Sequence, residues 1–279
     1  MKHRSAVDLA LEYQVRAPTH CCFNIEAAHW PGQTVLSERL AVSSGVSVHD
    51  FIEAGSGNRI IRFDATPGQL LVSYQAEVEV HIDPVPDDLP EVPVNQVPDE
   101  VLPCLLPTRY CESDLLSRVA QQQFGNLAPG IGRVRAVCDW IRGAITYLPG
   151  STGPTTTAQE VFVQRAGVCR DFAHLGITLC RALNIPARLV VGYVWFDEPP
   201  QDFHAIMEVW IGGRWVLFDP SGMASPERLV RIGTGRDAKD VAFSTLFGAV
   251  QMTRKELRVD EEGRDAQLRI QTEMAAEDA

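Results

Sequence analysis

A proline-dense stretch divides this chain into two parts in which apolar residues repeat with different periods. Residues 83–107 contain seven prolines. Because proline has no backbone N–H to donate, such a stretch disfavours both helices and the interior of sheets. We therefore predict a linker over residues 83–107, laid over the surface between an N-terminal domain, residues 1–82, and a second domain, residues 108–279.

The pattern before the linker is typical of β-strands. Apolar side chains occupy every second position from Val72 to Ile82, which is the period of a strand with one buried face and one wet face. Turn-forming residues at 31–32, 55–58 and 67–68 separate shorter stretches of the same kind. The first domain is therefore predicted to be an antiparallel β-sandwich.

After the linker, apolar residues recur at the spacing of amphipathic helices. We predict helices over residues 115–124, 131–145 and 169–183. Ser113 or Asp114 is a suitable N-cap for the first of them.

Three strands follow these helices in the predicted second domain, over residues 188–195, 204–211 and 214–220. The sequence after Ser221 is polar and mixed, and the last twenty residues form an acidic tail. The expected fold class is α+β, with the sandwich followed by helices packed on an antiparallel sheet.

The charge of the chain argues against a nucleic-acid partner. The formal net charge is −11, whereas binding to a phosphate backbone requires clustered Lys and Arg. No apolar run reaches the roughly 18 residues that span a membrane, and no signal peptide is evident after Met1.

The cysteines indicate a reducing compartment. There are seven, an odd number, and none is in a C-x-x-C arrangement. This pattern is typical of a cytoplasmic protein without a disulfide framework and without a structural zinc site. We expect no metal ion and no cofactor.

One of these cysteines, Cys169, is a candidate nucleophile. It lies in the first turn of the third predicted helix, directly after Gly167 and Val168. The unpaired N–H groups and the positive dipole end of a helix favour a thiolate, which is the nucleophilic form of cysteine. Gly167 is expected to permit a backbone geometry that a residue with a Cβ would resist. Taken alone, Cys169 is better explained as a residue that merely begins a helix.

A later hairpin supplies a candidate base and a candidate carboxylate. Gly212-Gly213 predicts a two-residue turn, because such turns require positive φ angles. In that register, Ile206 faces Asp219, and His204 shares the strand face of Ile206. His204 and Asp219 are then diagonal neighbours within reach of a hydrogen bond. A register slip of one residue would separate them.

The order of these residues is more informative than any of them alone. An activated Cys169, a strand residue His204 and a strand-end Asp219 correspond to nucleophile, base and orienting group in covalent catalysis. Taken singly, His204 is more typical of an ordinary core or surface histidine, and Asp219 of a turn residue. A metal site on Cys169 and His204 is a weaker alternative, since Asp219 is better used to orient the imidazole.

Other polar residues nearby are assigned less direct roles. His174 lies five residues after Cys169 and points away from it, so we interpret it as a packing residue or an indirect contact of the site. Asp171 and Glu160 are expected to serve helix ends. Tyr147 is a candidate to line the substrate site, although a buried tyrosine with a satisfied hydroxyl explains it equally well.

At these residues the chain resembles a known family. From about Pro107 to Phe243 it resembles the transglutaminase-like core of bacteria, a branch of the papain-like superfamily. The matching segments are Tyr147, Thr155–Ala158, Gly167–His174, Arg181–Arg188, Gly192–Tyr193, His204–Ala205, Trp215–Pro220 and Arg231–Asp237. The N-terminal strands resemble the β domain that precedes this core in one bacterial subgroup.

The resemblance implies that Cys169, His204 and Asp219 form a catalytic triad. Two positions depart from the family pattern. Met207 lies near a position where family members commonly have an aromatic side chain, and Asn184 replaces a frequent glycine. Both departures bear on substrate preference. The implied function is thiol-dependent acyl transfer on amide bonds of a peptide or protein substrate. Hydrolysis is slightly favoured over transfer to an amine. The alternative is a non-catalytic peptide-binding or scaffold protein on the same fold.

Overall fold

The computed structural model describes residues 2–43, 45–81, 83–197 and 200–262, and its fold is α+β. The strands of the first part are β1 (Lys2–Val15), β2 (Thr19–Phe23), β3 (Gln33–Val42), β4 (His49–Ile52), β5 (Arg59–Ala65) and β6 (Gly68–His81). The remaining strands are β7 (Thr146–Tyr147), β8 (Ala166–Gly167), β9 (Ala187–Tyr193), β10 (His204–Ile211), β11 (Arg214–Phe218), β12 (Val230–Gly235), β13 (Ser244–Phe247) and β14 (Val250–Glu261). The α-helices are α1 (Ser117–Phe124), α2 (Ile131–Ala144), α3 (Ala158–Gln164) and α4 (Cys169–Ala182).

Two four-stranded antiparallel sheets form the sandwich, in the orders β14-β1-β6-β3 and β13-β2-β5-β4. The alternation in β6 is as predicted, because Val72, Tyr74, Ala76, Val78 and Val80 are all buried. Ile82, the last residue of the predicted alternation, lies outside the described residues. Aromatic contacts join the two sheets, with the rings of Tyr13 and Phe23 5.8 Å apart.

The sandwich also contains strands from the far end of the chain. β13 pairs with β2, and β14 pairs with β1 along most of its length. The sequence prediction differs here, since it assigned residues 108–279 to the second domain. The side chains of β14 explain the difference: Val259 is its one fully buried residue, so the strand has no apolar alternation. The acidic tail beyond residue 262 lies outside the described residues.

The proline-rich segment is packed closely against the second part of the chain. It contains two short 3-10 helices, Val94–Gln96 and Leu102–Leu105. The Glu91 carboxylate accepts hydrogen bonds from the Gly130 N–H (3.1 Å) and from the Arg133 Nε (2.7 Å) at the start of α2. The segment therefore holds one end of α2 in addition to connecting the two parts.

The second part contains an antiparallel sheet in the order β11-β10-β9-β12, with α4 packed against β10 and β9. Gly176 permits this close packing, since a Cβ at that position would lie 2.7 Å from the Met207 Sδ. α4, which begins at Cys169, therefore packs directly on β10, which begins at His204.

The predicted elements of this part agree with the structure at α2, α4, β9, β10 and β11, with small differences at their ends. α1 begins later than predicted, at Ser117, and its N-cap residue Leu116 makes no side-chain cap, so neither Ser113 nor Asp114 has that role. The sequence analysis missed α3, which has only seven residues. Asn184 lies two residues after the end of α4 and has a positive φ of 63°, a conformation that asparagine tolerates in place of glycine.

Candidate active site

The start of α4 presents Cys169 at the first helical position, half-buried. Asp171 caps this end of the helix: its Oδ2 accepts hydrogen bonds from the Val168 N–H (2.9 Å) and from the Thr152 hydroxyl (2.6 Å). Glu160 caps α3 in the same way through the Thr157 N–H (2.8 Å). The predicted helix-end roles of Asp171 and Glu160 are therefore confirmed.

Gly167 is required before Cys169 for a steric reason. A Cβ there would lie 2.7 Å from the Cβ of Asp171, closer than two such atoms approach. A side chain at position 167 would therefore collide with the capping Asp171. Our expectation of an unusual backbone geometry is corrected accordingly: what Gly167 permits is this close approach.

The hairpin that holds His204 has the predicted register. Trp210 pairs with Trp215 and Glu208 pairs with Leu217, and the turn residues Gly212 and Gly213 have φ angles of +59° and +75°. As a result, the His204 Nε2 lies 2.9 Å from the Asp219 Oδ2.

Asp219 follows β11 and is fixed by several donors. Its Oδ1 accepts hydrogen bonds from the Ser221 N–H (2.9 Å) and hydroxyl (2.6 Å), and its Oδ2 accepts one from the Ala224 N–H (3.0 Å). Burial alone would raise the pKa of this carboxyl, but the hydrogen bonds from His204, Ser221 and Ala224 lower it. Asp219 is thus held as a carboxylate that orients the imidazole.

His204 is buried between this carboxylate and the Cys169 thiol. Burial by itself lowers its pKa, but the interactions with Asp219 and with Cys169 outweigh burial and raise the pKa to about 10. The Nδ1 atom is buried and has no hydrogen-bond partner within the described part of the chain. The Cys169 Sγ lies 4.0 Å from the carbonyl oxygen of Phe203, the residue that precedes His204. The arrangement favours an imidazolium next to the sulfur.

Tyr147 lies beside the same cysteine. β7 pairs Tyr147 with Gly167 on β8, two residues before Cys169. The Tyr147 hydroxyl interacts with the thiol and with the backbone N–H of Cys169, and burial is the largest cause of the raised pKa of the phenol. Its role in substrate binding stays a prediction.

His174 has a packing role, as expected. Its ring stacks on Tyr110 with centroids 5.3 Å apart, and its Nε2 accepts a hydrogen bond from the Ala238 N–H (3.1 Å). Complete burial lowers its pKa to about 3. His174 is therefore neutral near pH 7 and is not a second base.

A groove of about 380 Å³ opens beside Cys169 and His204. The sequence analysis missed part of its wall, the segment 241–244 that leads into β13. Apart from the family resemblance, which extends to Phe243, no sequence signal marks these residues. They are placed by long-range contacts, because Val241 packs in the core of the second part and Ser244 pairs with Phe23 of β2.

No group of three or more His, Cys, Asp or Glu side chains among the residues described is arranged to hold a metal ion. None of the helices within the described ranges is long and apolar enough to cross a membrane.

Comparison with known proteins agrees with this geometry. Residues 117–220 match the transglutaminase-like superfamily, and residues 1–100 match the bacterial transglutaminase N-terminal domain. A crystal structure of a proposed cysteine protease from Cytophaga hutchinsonii is 38% identical, with a TM-score of 0.89, over 94% of this chain and 91% of that one.

Two curated relatives match over shorter regions. An uncharacterised protein of Mycobacterium leprae is 34% identical over 119 residues, or 39% of this chain and 42% of that protein. A protein-glutamine gamma-glutamyltransferase of Pseudomonas aeruginosa is 32% identical over 96 residues, or 31% of this chain and 14% of that protein. The matched regions thus span less than half the length of either relative. Because the Cytophaga hutchinsonii protein is similar over nearly its whole length, this chain belongs to the transglutaminase-like superfamily and has the bacterial N-terminal domain of that family.

Proposed function

We propose that this protein is a thiol-dependent acyl-transfer enzyme that acts on amide bonds of peptides or proteins through Cys169, His204 and Asp219. The observation that carries the proposal is the 2.9 Å contact between the His204 Nε2 and the Asp219 Oδ2. This contact leaves the other ring nitrogen for Cys169, whose thiol contributes to the raised pKa of His204. These are the relations that nucleophile, base and orienting group require.

The proposed reaction has two steps. The Cys169 thiolate attacks the amide carbonyl, and the His204 imidazolium gives its proton to the departing amine as the C–N bond breaks. The product is a thioester on Cys169. Water or a second amine then attacks the thioester and gives a proton to His204, and the C–S bond breaks to release the acid or the new amide and to restore the thiolate.

The backbone N–H of Cys169, at the first position of α4, is the proposed donor to the oxyanion formed in each step. In the free protein the Tyr147 hydroxyl lies beside Cys169 and accepts from this N–H. When the substrate oxygen takes the N–H instead, the hydroxyl is the proposed second donor. One donor comes from the start of α4, and the other comes from β7, which pairs with β8 just before α4.

We favour hydrolysis over transfer to an amine. The relative that is similar over almost its whole length carries the name of a cysteine protease. The similarity to a glutamyltransferase covers only 31% of this chain. The two outcomes differ only in which nucleophile resolves the thioester.

A minimal acyl donor tests the proposal without knowledge of the natural substrate. With p-nitrophenyl acetate, we expect a burst of nitrophenolate, an acetyl group on Cys169 by peptide mass, and release of acetate. Added butylamine measures the partition between hydrolysis and transfer. Cys169→Ala should abolish turnover, whereas Cys22→Ala, at another half-buried cysteine, should not. Acetylation spread over several cysteines without turnover would favour the non-catalytic peptide-binding alternative.

A further inference from the structure

The groove beside the nucleophile has walls from both parts of the molecule. β9 contributes Leu189 and Val191, and the segment that leads into β13 contributes Val241, Ala242 and Phe243. The rings of Phe203 and Phe243 stack with centroids 4.7 Å apart. Cys169 and His204 themselves line the groove, so a molecule that fills it is in contact with the reacting sulfur.

The charged side chains that line the groove all have partners. Arg170 pairs with Asp171 at 3.1 Å, and Asp202 pairs with Lys255 of β14. His204 is hydrogen-bonded to Asp219. Since these charges are already compensated, the surface that remains for a ligand is apolar, and burying a charged group there would be unfavourable.

We propose that this groove is a subsite for a bulky apolar side chain, of the size of leucine or phenylalanine, on the acyl-donor part of the substrate. The proposal rests on the proposed function and names its substrate class. The donor is the part of the substrate that becomes bonded to Cys169 in the thioester, and Cys169 lines the groove. The apolar side chain of the acyl donor therefore stays against the apolar wall of the groove through both steps.

Within this subsite, Ala242 is the residue that determines specificity. It lines the groove and is exposed to solvent. A larger side chain there occupies groove volume without displacing a buried residue. Ala249, an exposed alanine in the turn between β13 and β14, offers a matched control on the same segment.

The probes are N-acetylated chloromethyl ketones of glycine, leucine, phenylalanine and lysine, with iodoacetamide as the reference. The quantity measured is the second-order rate of Cys169 alkylation by each ketone, divided by the iodoacetamide rate. We expect the leucine and phenylalanine reagents to react about tenfold or more faster than the glycine reagent, because their side chains become buried. The lysine reagent should show no such gain.

Two variants show whether the preference for apolar reagents arises in the groove. Ala242→Phe should reduce the advantage of the phenylalanine reagent about tenfold, and Ala249→Phe should keep it. Equal rates for glycine and phenylalanine reagents, a preference for lysine, or a preference that survives in Ala242→Phe would overturn the subsite. If iodoacetamide itself labels Cys169 no faster than the other six cysteines, the proposed function fails, and the subsite fails with it.

Discussion

The two sides of the groove are built in different ways. On the hairpin side, β10 and β11 hold His204 and Asp219 through buried contacts between residues that are 15 positions apart in the chain. On the sandwich side, β14 contacts Gln201 and Asp202, which lie just before His204 and more than 50 positions away from β14 in the chain. Those contacts are partly exposed to solvent.

The two sides therefore have different roles: one holds the reacting groups, and the other shapes the groove through which a substrate reaches them. The buried, short-range side fixes the protonation and orientation of the base. The long-range side brings the sandwich against the groove and completes its wall. Changes on the hairpin side should therefore have large effects, and equivalent changes on the sandwich side should have small ones.

The largest expected effect is that of Asp219→Asn. An amide cannot stabilise the imidazolium as the carboxylate does, so turnover of p-nitrophenyl acetate should fall about a hundredfold or more. The pH profile of Cys169 alkylation should also move to higher pH, which a merely structural role would not cause. Asp64→Asn, in the exposed His20–Asp64 pair (2.7 Å), is the matched control and should change neither. An unchanged pH profile in Asp219→Asn would contradict the assigned role.

Glu208→Gln should produce the largest loss of stability on the hairpin side. The buried Glu208 carboxylate accepts hydrogen bonds from Arg231 (2.6 Å) and from Arg188 (2.5 Å). Burial alone would raise the pKa of this carboxyl, but the two arginines lower it. Without the carboxylate, Arg231 is left as a buried, uncompensated charge, and we expect the free energy of unfolding to fall by about 3–5 kcal/mol in urea denaturation. A loss below about 1 kcal/mol would show that the network is solvated.

Acid should destabilise the protein through His174. Its pKa is lowered to about 3 in the folded state by burial, whereas an unfolded histidine has a pKa of about 6.5. The unfolded state therefore binds the extra proton as the pH falls from about 6.5 to about 3, and stability is lost over that window. The loss should be on the order of 2 kcal/mol between pH 7 and pH 5.

His174→Phe keeps the stacking on Tyr110 and removes the titrating group. Its free energy of unfolding should depend less steeply on pH than that of the wild type over the same range. The free energy of unfolding of both proteins is measured by urea denaturation at pH 7 and at pH 5. If it changes by the same amount in the variant and in the wild type, His174 is charged in the folded state.

The smallest effect should come from the sandwich side, in Lys255→Met. The side chains of Lys255 and Asp202 are 34% and 44% exposed, and ion pairs at such sites contribute about 0–1 kcal/mol and are screened by salt. The free energy of unfolding should therefore change by less than about 1 kcal/mol, and the change should shrink in high salt. A loss as large as that of Glu208→Gln would remove the contrast between the two sides.

The same contrast explains which features the sequence predicts. The Gly212-Gly213 turn sets the register of the hairpin, so the positions of His204 and Asp219 follow from a few neighbouring residues. The start of α4 at Cys169 follows from local apolar spacing. β14 was missed because only Val259 of its side chains is fully buried, and its pairing with β1 depends on residues more than 200 positions away. The groove wall at Ala242 and Phe243 was missed for the same reason.

If His204 activates Cys169, the pH dependence of Cys169 alkylation by iodoacetamide must change when His204 is removed. The modified site is read by peptide mass in the wild type and in His204→Ala. We expect selective labelling of Cys169 at neutral pH in the wild type, and a shift of the profile to higher pH in the variant. Labelling no faster than that of the other six cysteines, and indifferent to His204, would contradict it.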